Sequence, residues 1–143
     1  MNATFTKFGW PDTRIAETDH WGVMVRPVQP TLGALVLCCK QPVTSFGAVD
    51  AAGMADLGRA VAAIEAMLAA TVAPDRINYL MLMMVDPDVH FHVLPRHEHE
   101  RHLAGITLAD PGWPGPPDLG VGHTLGEAGI AALRHHLAAH WAG

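Results

Sequence analysis

The chain has 143 residues, half of them hydrophobic and only 16% charged, with a net charge of -5 when the histidines are neutral. That length fits a single domain, residues 1–143, with a core large enough to stand without metal or disulfide staples, and the composition excludes a disordered chain. The acidic balance excludes a general nucleic-acid binder, which needs a basic surface to displace counterions from phosphates, and leaves small anionic ligands open.

Residues 1–19 scatter Pro11, Asp12 and several charges among short apolar pieces, which predicts a loose N-terminal arm with a short strand near Arg14 and Ile15. From His20 to Val28 the pattern alternates, with Trp21, Val23 and Val25 on one face and Gly22, Met24 and Arg26 on the other. It reads as a strand ended by Pro27 and Pro30. Thr31-Leu32-Gly33 is a turn, and the apolar run Leu35–Cys39 has the length of a strand buried on both faces, so the two strands make a hairpin. Cys38 and Cys39 are adjacent, which disfavours a bridge between them and does not match zinc-knuckle spacing, so both are expected to be buried, reduced thiols.

Between Val49 and Ala70 the period changes, with Met54, Leu57, Val61, Ile64 and Leu68 forming one stripe of an amphipathic helix capped by Asp50. Pro74 and Asp75 end it. Ile77–Met84 begins the next strand, and Met81, Leu82, Met83 and Met84 read as flexible core filling between sheet and helix rather than a cofactor pocket. Asp86-Pro87 then breaks the apolar run, giving either one strand with a bulge or, the reading favoured, two strands joined by a tight turn. The run His97–His102 is too polar for a core and is expected on the surface. Residues 110–122, crowded with Pro and Gly, predict an irregular surface loop, and Thr124–Trp141 returns to helix with Leu125, Ala128, Ala132 and Leu133 on its apolar side. His20, His123, His135, His136 and His140 are expected to be solvated or capping residues. No apolar leader and no run of about 18 apolar residues is present, so neither a membrane span nor a membrane partner is expected and a cytoplasmic location is the default.

The chemistry concentrates in Asp88-Val89-His90-Phe91-His92-Val93. Period-two alternation predicts that Asp88, His90 and His92 share one strand face, about 7 Å apart from one to the next, where they can contact one ligand together. Pro95 stops the ladder. An imidazole attacking phosphorus gives a phosphoramidate, a covalent intermediate that splits one displacement into two easier steps. His90 is the candidate nucleophile, His92 a hydrogen-bond donor to a phosphate oxygen, Arg96 a counter-charge, and Asp88 a group that holds an imidazole tautomer or passes a proton. An H-x-H pair alone discriminates poorly, since two imidazoles on a surface strand are commonly just solvated.

The longer stretch D-V-H-F-H-V-L-P-R resembles the signature of the histidine triad (HIT) family, His-φ-His-φ-His-φ-φ with φ apolar, often continued as Val-Leu-Pro-Arg. The order strand, turn before Gly33-Ala34-Leu35-Val36-Leu37, crossing helix and motif strand extends the resemblance over about residues 20–97. It implies an α+β fold, with an antiparallel sheet, a crossing helix and the C-terminal helix of 124–141. By the same resemblance His90 is the nucleophile that accepts a nucleotidyl group and His92 the phosphate and leaving-group contact. The chain departs from the family pattern at four places. Asp88 replaces the first triad histidine, and Ala34 stands where a Gly-His-x-Leu-Val histidine is common. Met83-Met84-Val85-Asp86 replaces a Gly-Gln-rich phosphate loop, and Arg26 stands where many members use an asparagine near the ribose. The activity implied is a hydrolase or transferase of nucleotide phosphoanhydrides or phosphoramidates, such as dinucleoside polyphosphates, with no cofactor or metal in the chemical step and with homodimeric assembly.

Two other readings stay open. His90, His92, His97, His99 and His102, with Glu98, contain ligand types for zinc or nickel, as in a cupin-like barrel, although the two helices fit an α+β sandwich better. A non-catalytic nucleotide-binding module is the other.

Overall fold

The computed structural model describes residues 1–143. In chain order the elements are α1 (Ala3–Lys7), β1 (Arg14–Glu17), β2 (Trp21–Val25), β3 (Val28–Gln29), β4 (Leu35–Cys39), a 3-10 turn (Phe46–Ala48), α2 (Ala51–Thr71), β5 (Arg76–Leu80), β6 (His90–Arg96), β7 (Arg101–Leu103), β8 (Ile106–Leu108), β9 (His123–Thr124) and α3 (Glu127–Ala138). The strands β1-β2-β4-β6-β5 form, in that spatial order, one antiparallel sheet, while β3 with β9 and β7 with β8 make two small ribbons. This is the α+β arrangement expected, with α2 as the crossing helix and α3 as the C-terminal one.

Every residue of β2 and β4 is buried, because the sheet is covered on both faces. One face carries the main core, where Trp21, Val23, Val25, Leu35, Leu37 and Val93 meet Ile64, Met67 and Leu68 of α2 and Leu133 and Leu137 of α3. The opposite face carries a smaller core in which Met24, Val36 and Cys38 pack against Phe5 of α1. The N-terminal arm is therefore not loose. Asn2 caps α1 by accepting from the amides of Thr4 and Phe5, and the Asn2 side chain donates to the Cys39 carbonyl at 3.1 Å. Gly22 makes this docking possible, since a Cβ there would fall inside the van der Waals shell of the Phe5 ring.

Asp50 caps α2 as expected, accepting from the Gly53 amide at 2.8 Å. The buried stripe differs from the apolar one: Gly53, Asp56, Ala60, Ile64, Met67 and Leu68 face inward and Met54 is exposed. Small Gly53 and Ala60 let the helix approach the sheet closely enough for the Trp21 indole to donate to the Gly53 carbonyl at 2.9 Å. Asp56 is drawn inward by the turn between β1 and β2, accepting from the Thr18 hydroxyl at 2.6 Å and the His20 amide at 2.8 Å. His20 is consequently half-buried beside that carboxylate rather than solvated.

Four further expectations need correction. The strand expected over Ile77–Met84 stops at Leu80, and residues 81–89 form a long connection, not a tight turn. Met84 in it is 86% exposed, so the methionine run does not fill the core along its whole length. His97 is buried, because its ring packs under the turn at Leu32 and its Nε2 lies 2.9 Å from the Leu32 carbonyl. The final helix starts at Glu127, three residues later than expected, since Thr124 is taken up in the β3–β9 ribbon. No helix is long and apolar enough to cross a membrane.

Candidate functional site

Strand β6 begins at His90, paired in register with Cys38, and His92 sits opposite Val36. Alternation puts both imidazoles on the α1 face and sends Phe91 and Val93 to the main core, where Phe91 lies 6.1 Å from the Trp21 ring. The rings of His90 and His92 are 5.2 Å apart, edge to face. Asp88 precedes the strand and does not join them by its side chain, as sequence alternation had suggested. Its carboxylate accepts from the Thr4 hydroxyl at 2.9 Å, while its backbone carbonyl lies 2.6 Å from His90 Nδ1. A carbonyl can only accept, so Nδ1 carries the hydrogen and Nε2 presents a lone pair. The Nδ1 contact is the one hydrogen bond that the His90 ring makes with the protein.

Arg26, just past the end of β2, reaches the second imidazole, with Nε 3.4 Å from His92 Nδ1 and one terminal nitrogen 2.6 Å from the Val28 carbonyl. Burial pushes the His92 imidazole down, to about 4, and the positive charge of Arg26 adds to this, so the ring is neutral at physiological pH. The only other nucleophile on this stretch of the face is Cys38, whose thiol burial raises to about 12 and so keeps protonated.

The other walls of the site come from elements that the sequence did not single out. Phe8, at the end of α1, sets its ring 6.2 Å from His90 and 5.8 Å from His92. Lys7 beside it pairs with Asp86 at 2.7 Å, tying α1 to the connection that leads into β6. His90 is only 2% exposed as a result. The one sequence signal for this cover is Asn2, a residue suited to capping, two positions before the Thr4-Phe5 pair.

Arg96 shares the face parity of the histidines but lies six residues along β6 from His90, about 20 Å at strand spacing. Its guanidinium is buried against Asp110 at 2.7 and 3.2 Å and against the Asn78 side chain at 2.8 Å. The proposed histidine cluster also disperses: His97 faces Leu32, His102 Nδ1 lies 2.6 Å from the Thr107 hydroxyl, and His99 is exposed. No group of three His, Cys, Asp or Glu side chains is placed to hold a metal ion.

No protein-family profile matches the sequence. No curated protein sequence matches it either. Solved structures do. A histidine triad protein from Sinorhizobium meliloti superposes with a TM-score of 0.76 at 17% identity, over 98% of this chain and 95% of that one. The chain has the histidine triad fold. A hypothetical histidine triad nucleotide-binding protein from Sulfolobus tokodaii gives 0.68 at 14% identity, over 89% of this chain and 81% of the other. A zinc-bound histidine triad family protein from Mycobacterium smegmatis gives 0.61 at 16%, over 95% and 91%.

Proposed function

We propose that this chain is a nucleotide phosphohydrolase or nucleotidyl transferase that works through a covalent nucleotidyl-histidine on His90. The observation that carries the reading is the pair of fixed imidazoles: His90 has its Nδ1 committed to the Asp88 carbonyl and its Nε2 lone pair unengaged, beside a neutral His92. The His90 Nε2 lone pair attacks the phosphorus of a phosphoanhydride or phosphoramidate. The bond from phosphorus to the leaving oxygen or nitrogen breaks, and the leaving group departs with the electron pair and takes up a proton from solvent. Water, or an acceptor hydroxyl in a transferase, then attacks phosphorus, gives up its proton to solvent, cleaves the phosphorus–nitrogen bond and returns the lone pair to His90. His92 offers a hydrogen bond to a non-bridging oxygen, where negative charge accumulates. Arg26, bonded to His92 Nδ1, adds positive charge beside that ring, and the substrate class is a nucleotide or dinucleoside polyphosphate. The fold's likeness to a protein described as nucleotide-binding supports that class.

Because Phe8 covers the pair, productive binding requires that ring to move aside. The same cover favours a second reading, a nucleotide-binding module without turnover, which also accords with Ala34 and the Met83–Asp86 stretch in place of the usual phosphate contacts. The outer edge of β5, paired only with β6, offers unpaired backbone to a second copy, so the assembly proposed is a homodimer with the sheets side by side. Incubation with a dinucleoside polyphosphate or an adenosine phosphoramidate, followed by intact-mass analysis, tests the first reading. A nucleotidyl adduct should form, persist in His99→Ala and vanish in His90→Ala with turnover reduced by roughly 10³-fold or more. Turnover unchanged in His90→Ala removes the proposal, and binding without adduct or turnover supports the second reading.

A further inference from the structure

The two imidazoles of β6 are held by partners of opposite kind. His90 Nδ1 faces a carbonyl, which only accepts; His92 Nδ1 faces a guanidinium, which only donates. A hydrogen on His92 Nδ1 would point at the Arg26 Nε–H, donor against donor, a conflict that the reverse tautomer avoids. The lone pair must therefore be on Nδ1 and the hydrogen on Nε2. We propose that Arg26 is a positioning residue that fixes His92 as the Nε2–H tautomer, so that a phosphoryl group meets a lone pair from one ring and a proton from the other.

The mounting of Arg26 supports this. Its terminal nitrogen is pinned on the Val28 carbonyl at 2.6 Å, and its backbone amide donates to the Ala34 carbonyl at 3.0 Å. The buried Gln29 side chain completes the frame, donating to the carbonyls of Arg26 and Ala34 at 2.6 and 2.9 Å and accepting from the amides of Gly33 and Ala34. A guanidinium held at both ends delivers its Nε–H in one direction, which an unsupported surface arginine would not. The charged and titratable groups facing His92 are Arg26, His90, Lys7 and Asp86; the first three oppose its protonation and only Asp86 favours it. Arg26 thus acts on His92 twice, by direction of a hydrogen bond and by charge. The catalytic consequence rests on the reading of the site given above, but the tautomer does not.

The test is long-range proton–nitrogen NMR of the full chain labelled with nitrogen-15, with no substrate present. In the wild type, His92 should show an unprotonated Nδ1 and a protonated Nε2, and His90 the reverse. In Arg26→Met, His92 should become a tautomer mixture and its titration midpoint should rise by about one pH unit or more toward the ordinary imidazole value, while His90 keeps its tautomer. Arg26→Lys, which retains a donor and a charge, should hold the wild-type tautomer. A wild-type His92 protonated at Nδ1 overturns the proposal even if Arg26→Met does not fold, and so does a folded Arg26→Met with an unmoved tautomer and midpoint. Where turnover is measurable, Arg26→Met should lower kcat roughly tenfold with little change in KM; a rise in KM alone would make Arg26 a binding residue and overturn the positioning role. Absence of any nucleotidyl adduct would sink the reading of the site and leave the NMR outcome intact.

Discussion

Replacing Asp110 by alanine is expected to cost this fold more than any change at the histidine face. Asp110 and Arg96 form an ion pair with side chains 0% and 4% exposed, at 2.7 Å from Oδ2 to Nε. The carboxylate also accepts from the backbone amides of His97 and Gly112, both at 3.2 Å. Asp110→Ala leaves a buried guanidinium with only the Asn78 oxygen and two amides without an acceptor. Removing one partner of a buried pair costs about 3–5 kcal/mol, or roughly 10–20 °C in Tm for a chain of this size. Denaturant and thermal unfolding measure it, and the pH dependence gives a second handle. Burial raises the Asp110 pKa, but Arg96 and the two amides outweigh burial and hold the carboxyl below its ordinary range. Its contribution is therefore full above the unfolded carboxylate pKa of about 4 and is lost as the pH falls through the lower folded value. The gap between wild type and Asp110→Asn should narrow in acid. The double variant Arg96→Met/Asp110→Leu should recover most of the loss, since a well-packed apolar pair can replace a buried ionic one. An Asp110→Ala chain within about 1 kcal/mol of wild type would refute the reasoning. If instead Arg96→Lys weakened nucleotide binding and left stability alone, Arg96 would be a ligand contact as its place in the motif suggests.

Two further outcomes follow from the α1 face. Gly22→Ala pushes against the rigid Phe5 ring and should destabilise by about 1–3 kcal/mol, loosening α1 so that diethyl pyrocarbonate modifies His90 faster than in the wild type; equal rates and equal Tm would show that α1 does not depend on this contact. Cys38 and Cys39, both buried and with thiols shifted upward by burial, should be silent to Ellman's reagent at pH 8 until denaturant is added, and prompt reaction of either in the native chain would contradict the packing.

What could be read from the sequence depended on whether the physical cause was local. The strand at 35–39 announces itself because both of its faces are buried, so its apolar run is continuous, while the strand at 21–25 was legible from its alternation. Asp50 announces α2 because a cap bonds three residues away. The inward face of α2 was less legible, since Gly53 and Ala60 count as weakly apolar yet let the helix sit close, and Asp56 is polar yet buried by partners nearly forty residues earlier. His97 and Arg96 misled for the same reason: charged and polar types at a strand end usually mean solvent, and the partners that make burial tolerable are distant, Asp110 fourteen residues beyond Arg96 past the β7–β8 ribbon and the Leu32 carbonyl 65 residues before His97.

The histidine face shows where such reading stops. Period-two alternation correctly put His90 and His92 on one side of β6, because that follows from strand geometry alone. It could not say what covers that side. The cover is α1, whose five residues are too few to leave a periodic signature and whose stability comes from the docking of Phe5, a tertiary fact. The same limit explains the departure at residue 88. Seen as a string, an aspartate in place of a histidine looks like a lost functional group. In the fold, the group that meets His90 is the main-chain carbonyl of residue 88, which any amino acid supplies, so the His90 tautomer does not depend on the side chain. The carboxylate is thereby free for a different task, and it accepts the Thr4 hydroxyl that holds α1 over the site. A substitution that leaves the backbone path intact but removes the acceptor, such as Asp88→Ala, should accordingly keep the His90 Nδ1–H tautomer while loosening the cover, so that diethyl pyrocarbonate modifies His90 faster than in the wild type.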